Sequence, residues 1–428
     1  MTHRVTVREY AWLTASPVEH PSLDRAQVPA SAFDWLCQLS AGFRKNGAAL
    51  VHLENQRWLR LDNYVGVLET PCGTSLEILP KHTEGGSDPA PGRKLLKRMI
   101  ASALDMPARE AGPAKLERFE APLSEWVMEQ FLAGLDHLVK RGVRSDYLRV
   151  EAAESYLRGQ LDTVRQMRQP PGRQHVFQIR HDIFVPDRPE NRLLKTALVQ
   201  VCRTTQAPAN WRLAHELRSL LDEIPASRDV DADFKRWGKD RLMAHYQPLR
   251  PWCELILHRQ MPLAVAGEWH GISMLFPMEK LFERYVAAAL RRTLQADARL
   301  VTQAARHALC EHLGTPIFQL RPDMLVEHAG RRWVLDAKWK LLDAADREGK
   351  YGLSQGDFYQ LFAYGQKYLG GEGEMLLIYP QHSRFDGIDA AFHFGGGLSL
   401  RVAAFDLEKG CLINALATGL PLRNPAQS

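Results

Sequence analysis

The stretch Arg331-Arg332-Trp333-Val334-Leu335-Asp336-Ala337-Lys338 decides how this chain folds. Its centre, Trp333-Val334-Leu335, is a short apolar run that predicts a strand over 331–338. Two charged residues then stand where packing does not require them. Side chains alternate across a strand, so Asp336 and Lys338 share one face and Ala337 takes the other. Upstream, Arg321-Pro322-Asp323 lies in a second segment, expected as a strand over 316–326, and His328-Ala329-Gly330-Arg331 supplies the turn between them. Folding one strand back along the other carries Asp323 to Asp336. Two carboxylates together offer hard oxygens to Mg²⁺, with Mn²⁺ as the alternative. Such a cation lowers the pKa of a bound water and stabilises charge on a phosphate. Lys338, beside it, would orient or help deprotonate that water. Pro-Asp, a spacer and Asp-x-Lys therefore point to phosphodiester hydrolysis. Either half alone is common enough to be a turn or a surface ion pair.

The flanking segments support the pattern. Met278 to Arg292 predicts an amphipathic helix, with Met278, Leu281, Phe282, Tyr285, Val286 and Ala289 on one face. It carries Glu279 and Glu283, rivals for a further acidic role. A helix is expected over 355–369, where Gln360 and Tyr364 fall on one face. Met375-Leu376-Leu377-Ile378-Tyr379 follows as a buried strand ended by Pro380, with later strands near 391–394 and 398–402. Helix, hairpin, Asp-x-Lys strand, helix and strand make an α/β sandwich over residues 269–428.

Before residue 92 the chain reads as β-rich. One hairpin is expected from 48–53 and 58–61, another from Tyr64–Leu68 and Ser75–Leu79 around Pro71-Cys72-Gly73. The exception is a helix over 32–43, with Phe33, Leu36, Leu39 and Phe43 at helical spacing. Thr83 to Gly92 is the clearest linker. Residues 93–268 are expected as a mainly helical middle region, with apolar stripes at Leu95 to Leu104 and Trp126 to Val139 and one β-like segment over 174–179. The fold class is thus a multidomain α+β or α/β chain.

A chain of 428 residues exceeds one ordinary core. The net charge of +5 is compatible with nucleic acid but too small to argue for it. The 6 cysteines form no Cys-x-x-Cys pair, so a zinc or disulfide framework is not expected and a reducing cytoplasm is. No apolar run approaches the roughly 18 residues of a membrane span, and Met1-Thr2-His3-Arg4-Val5 does not open a signal peptide. Among the 16 histidines, His307 and His312 stand five apart, off the spacing of a zinc helix. No Gly-x-Ser-x-Gly elbow occurs. The nearest thing to a phosphate-binding motor loop, Gly86 to Lys94, has the wrong glycine spacing, with Arg93 after Gly92 and Leu95 where a hydroxyl should be. No nucleotide is expected on this chain, and any motor must come from a partner.

At these residues the sequence resembles the PD-(D/E)xK nuclease superfamily and, more narrowly, McrC proteins. Met278-Glu279-Lys280-Leu281-Phe282-Glu283-Arg284-Tyr285-Val286, Leu335-Asp336-Ala337-Lys338-Trp339-Lys340, Asp357 to Tyr364 and Ile378-Tyr379-Pro380 are similar to the McrC nuclease domain. Tyr64 to Leu68, Leu76 to Lys81, Tyr156 to Gly159 and Asn191 to Lys195 are similar to its earlier parts. The resemblance implies a DNA endonuclease subunit of a restriction system. Its N-terminal part would dock on a McrB-like AAA+ GTPase ring and stimulate GTP hydrolysis. It implies Asp323 and Asp336 as metal ligands, Lys338 as the water-orienting base and Glu283 as a further ligand through water. Gln360 and Tyr364 would contact DNA or brace the site, and Lys340 would meet a phosphate. A double-strand break needs two such sites, which implies dimerisation through the nuclease domain or within the partner complex. Two other readings stay open: a non-cleaving GTPase-activating adaptor that uses the domain to bind DNA, and a stand-alone nuclease.

Overall fold

A computed structural model describes residues 3–43, 51–54, 57–81, 88–103, 123–238, 240–257, 274–414 and 418–423. They belong to two compact units, one of Met1–Leu123 with Met261–Ser428 and the other of Ser124–Gln260. Packing thus groups the first and last parts of the chain, which the sequence reading separates at residues 92 and 268.

The first unit begins with β1 (His3–Arg8), β2 (Trp12–Thr14), β3 (Arg25–Gln27), α1 (Ala30–Phe43), β4 (Val51–Glu54), β5 (Trp58–Leu61), β6 (Tyr64–Glu69), β7 (Thr74–Leu79) and α2 (Ala90–Ala103). Both expected hairpins form, β4 with β5 and β6 with β7, each antiparallel. Phe33, Leu36 and Leu39 of α1 bury into the core over these strands. The side chain of Phe43, residues 48–50 and most of the expected linker lie outside the described residues. Arg93 of the rejected motor loop makes an ion pair with the buried Glu77, Nη2 to Oε2 at 2.6 Å.

The second unit comprises α3 (Leu123–Arg141), β8 (Asp146–Glu154), β9 (Gln160–Leu161), α4 (Thr163–Met167), β10 (Phe177–Val185), α5 (Pro189–Thr204), α6 (Pro208–Leu220), α7 (Val230–Arg236) and α8 (Arg250–Ile256). Its helices are the expected ones, but β8, β10 and β9 form a sheet of their own. β8 escapes the sequence reading because every one of its side chains is exposed or half-buried, leaving no buried apolar period to detect.

The chain returns to the first unit with β11 (Met274–Pro277), which completes the N-terminal sheet in the order β1-β7-β6-β11. The fit is tight. A Cβ on Gly66 would stand 1.9 Å from the carbonyl oxygen of Met274, so only glycine lets β11 lie against β6. β11 runs straight into α9 (Met278–Thr293), whose predicted apolar face is buried in full.

Then come β12 (Arg299–Thr302), β13 (His307–His312), β14 (Thr315–Leu320), β15 (Met324–His328), β16 (Arg331–Ala337), α10 (Gln355–Tyr368), β17 (Gly373–Pro380), β18 (Ile388–Gly395), β19 (Leu398–Asp406) and β20 (Cys411–Leu412). Their main sheet runs β12-β15-β16-β17-β19-β18, with β20 on β19. β16 is central, antiparallel to β15 and parallel to β17. Its residues Trp333 to Ala337 are all buried, which explains the unbroken apolar run. A parallel neighbour needs a crossover, and α10 provides it.

The single strand expected over 316–326 is two strands. β14 pairs with β13 as a separate hairpin, and β15 joins the main sheet. Pro322 is the reason: it has no N–H to give a ladder and holds its neighbour extended, so pairing stops there.

Candidate active site

Asp323 and Asp336 meet because of register. Met324 pairs with Leu335 across β15 and β16, which sets Asp323, one residue before β15, level with Asp336. The turn between the strands has two central residues with positive φ, Ala329 at 47° and Gly330 at 78°. That sense of turn matches the twist of a hairpin. Asp323 Oδ2 accepts a hydrogen bond from the Ala337 N–H at 3.0 Å, fixing the carboxylate beside the end of β16.

Around this pair the structure gathers groups from three further elements. Lys338 Nζ stands 2.8 Å from Asp336 Oδ2 and 3.8 Å from Asp357 of α10. It also donates to Gln360 Oε1 at 3.3 Å. Gln360 donates to the Tyr364 hydroxyl at 2.8 Å, which donates to the Arg321 carbonyl at 3.1 Å. Gln360 and Tyr364 thus share a helical face, as their spacing predicts, and brace the lysine against the Arg321-Pro322-Asp323 segment. Of the rival glutamates, Glu283 is buried and Glu279 exposed. Glu283 accepts from Lys280 Nζ at 2.7 Å. Gln303 Nε2 bridges Glu283 and Asp323, donating to the Asp323 Oδ1 at 3.1 Å. Lys340 is not brought into the cluster, and its ammonium donates to the Gly352 carbonyl at 2.5 Å.

Gln303, Lys280 and Asp357 are members that the sequence reading does not single out. Gln303 follows β12 at a non-glycine φ of 51°, a position no motif marks. Lys280 and Asp357 stand inside quoted segments, but their spacing alone gives them no role.

The electrostatics are those of crowded negative charge. Burial, then the charges of Asp336 and Glu283, push the Asp323 carboxyl up to about 7. Burial also raises Asp336, and the adjacent Lys338 only partly opposes it. Burial alone would lower Lys338, but Asp336 and Asp357 hold it above the ordinary lysine value, so it stays protonated at neutral pH. Asp336 Oδ2 is buried and meets the Lys338 ammonium at 2.8 Å, with no other hydrogen bond among the described residues. Two crowded carboxylates with spare acceptor capacity suit a divalent cation. Among the described residues they do not close into a ready cage of three or more protein ligands.

Fold and site define a mixed α/β multidomain protein with a paired-carboxylate and lysine centre at the end of the central strand of its largest sheet. The chain belongs to the McrBC family: residues 59–380 match the family described as McrBC 5-methylcytosine restriction system component. No curated protein sequence matches it. Among solved structures it is similar to a refined half-complex from a tetradecameric assembly of Thermococcus gammatolerans McrB AAA+ hexamers with bound McrC. There the TM-score is 0.69 at 20% identity, with 95% of each chain covered. It is also similar to a chain of the cryo-EM structure of the Thermococcus gammatolerans McrBC complex. That TM-score is 0.53 at 21% identity, over 68% of this chain and 87% of the other. The McrC-like resemblance read from the sequence therefore holds. No helix among the described residues is long and apolar enough to cross a membrane.

Proposed function

We propose that this chain is the DNA-cutting subunit of a McrBC-type restriction system, of the PD-(D/E)xK type, acting with a McrB-like AAA+ GTPase ring that it stimulates. The observation that carries the reading is the convergence of Asp323 and Asp336 with Lys338 set 2.8 Å from Asp336. Family membership and the similarity to chains solved within McrB–McrC assemblies support the partner.

In this mechanism Asp323 and Asp336 would hold Mg²⁺ or Mn²⁺. When bound, the cation supplies Lewis-acid stabilisation of the phosphate and a water of lowered pKa. Asp336 fixes the Lys338 ammonium, and Gln360 holds it from the other side. Held this way, Lys338 presents its remaining donor capacity to the attacking water and to the scissile phosphate. Protonated Lys338 stabilises developing negative charge, so orientation is its first role. Gln303 donates to both Glu283 and Asp323 and so offsets part of the repulsion between the two carboxylates.

The test is cleavage of 5-methylcytosine-containing DNA by the purified chain with its AAA+ ring, GTP and Mg²⁺. Asp336→Ala and Lys338→Ala should each reduce cutting on the order of 10³-fold or more, with assembly on the ring intact. Retained cutting by either variant would reject the site. Undiminished GTPase stimulation, with no cutting by the wild-type chain under any divalent cation, would favour the adaptor.

A further inference from the structure

Outside the cluster just described, the first unit buries one more carboxylate that packing does not explain. Glu9 follows β1 and is fully buried, at 0% exposure. Its Oε1 accepts from the Trp339 indole Nε1 at 2.7 Å and from the Lys81 N–H at 2.8 Å. Its Oε2 accepts no hydrogen bond among the described residues. Leaving a buried carboxylate oxygen unpaired costs stability, and a leucine there would fill space at lower cost. The next residue, Tyr10, holds a φ of 63° that side chains rarely adopt, so the turn presenting Glu9 is itself strained. Lys81 and Glu279 are the charged groups that act on it, the first favouring and the second opposing its charge.

The far end of this bond is the site. Trp339 is the residue after Lys338. Its ring lies 5.3 Å from that of Phe282, the neighbour of Glu283 on α9. One indole therefore touches both the segment that carries Asp336 and Lys338 and the helix that carries Glu283. Its single donor is fixed by Glu9. The backbone at this point leaves β16, and the Lys338 N–H still bonds the Ile378 carbonyl at 2.9 Å while the chain turns away. Asp323 takes the Ala337 N–H, but beyond it the chain is held to the sheet by this one ladder bond and can shift unless a side chain pins it.

We infer that Glu9 is a positioning residue for the Asp336–Lys338 segment, acting through the Trp339 indole and so linking the N-terminal sheet to the cutting site. The inference rests on the nuclease reading for its consequence in catalysis, but the mechanical link stands on the geometry alone.

The test uses the full chain with its AAA+ ring and four variants: Glu9→Gln, Glu9→Leu, Trp339→Phe, and Glu9→Leu with Trp339→Phe. Glutamine keeps an acceptor for the indole, and phenylalanine keeps the ring but removes the donor. Glu9→Leu and Trp339→Phe should each lower kcat ~10-fold with KM for DNA unchanged. The double variant should be no worse than either single one, because both break one bond. Glu9→Gln should restore near-wild-type kcat. Amide hydrogen exchange at Lys338 should quicken in the leucine and phenylalanine variants of the isolated chain, and not in the glutamine variant. Multiplying effects in the double variant, a glutamine variant as impaired as the leucine one, or unchanged exchange at Lys338 would each overturn the link. If wild type does not cut, or Asp336→Ala still does, the nuclease reading fails, and the exchange measurement decides the link by itself.

Discussion

Glu125 and Asp233 of the second unit are buried acids well supplied with donors, as Glu77 of the first unit is by Arg93, whereas the acids of the candidate site and Glu9, also in the first unit, are not. In the second unit Glu125 accepts from the Thr205 hydroxyl at 2.7 Å, from Asn210 Nδ2 at 2.8 Å and from the Gln206 N–H at 2.5 Å. Asp233 receives a two-pronged guanidinium from Arg192, at 3.0 and 2.8 Å, and the Ser227 hydroxyl at 2.6 Å. The Arg192 bonds hold that carboxyl below the usual carboxylate range. In the first unit Asp336 and Glu9 are buried and Asp323 is half-buried, each with fewer donors than it can use, and burial raises all three. A carboxylate kept only for architecture is surrounded by donors. One left short of donors costs stability, which makes it a candidate for binding or positioning.

Removing a well-served acid should therefore be the costlier change for stability. Glu125→Ala strands the Thr205 hydroxyl, the Asn210 amide and a backbone N–H, each buried or partly so. We expect a loss of about 3 kcal/mol in chemical denaturation. A loss under about 1 kcal/mol would mean that water serves these donors equally well, and the contrast between the two kinds of acid would weaken.

The pH dependence of stability separates the two kinds of acid by sign. Glu9 moves from an ordinary 4.5 to about 7 because it is buried, so the folded chain holds its proton more tightly than the unfolded chain does. The stability it contributes is complete below pH ~4.5 and is lost as pH rises through ~7. Glu9→Gln removes this term. Its stability relative to wild type should rise by about 2 kcal/mol between pH 5 and pH 8. Asp233 runs the other way: its carboxyl is lowered, so its contribution is present above the unfolded carboxylate range and fades as pH falls. A flat difference between Glu9→Gln and wild type would show that Glu9 is solvated in solution.

Much of this architecture is legible in the residues, for local reasons. Apolar periodicity and the Ala329-Gly330 turn are properties of neighbouring residues, so α9, α10, β16 and the meeting of Asp323 with Asp336 can be read directly. The choice between Glu279 and Glu283 cannot, because both flank the same apolar stripe and only the packing of α9 buries Glu283. Pro322 is visible, yet a strand drawn through it ignores the ladder donor it lacks. Gln303 and Glu9 are illegible for a different cause. Each is defined by contact with residues distant in sequence: Glu9 meets Trp339 across 330 positions. No spacing rule reaches that far.

The smallest effect tests the contrast at its centre. Asp323 is both an acceptor for the Ala337 N–H and one of a crowded set of acids, so substitution asks which condition dominates. In Asp323→Asn the new side chain would keep one oxygen for the Ala337 N–H. Its amide would face Gln303, whose own oxygen can accept after a small rotation, while the charge beside Asp336 and Glu283 disappears. With EDTA at pH 8, Asp323→Asn should therefore be more stable than wild type by about 1 kcal/mol, the relief of like-charge repulsion and desolvation outweighing one altered hydrogen bond. Adding Mg²⁺ should reverse the order, since only the wild-type pair of carboxylates gains from the cation. If Asp323→Asn is instead the less stable protein in EDTA, Asp323 behaves like Glu125. Its first duty is then to hold the end of β16, and the crowding of charge around it is a consequence of that duty.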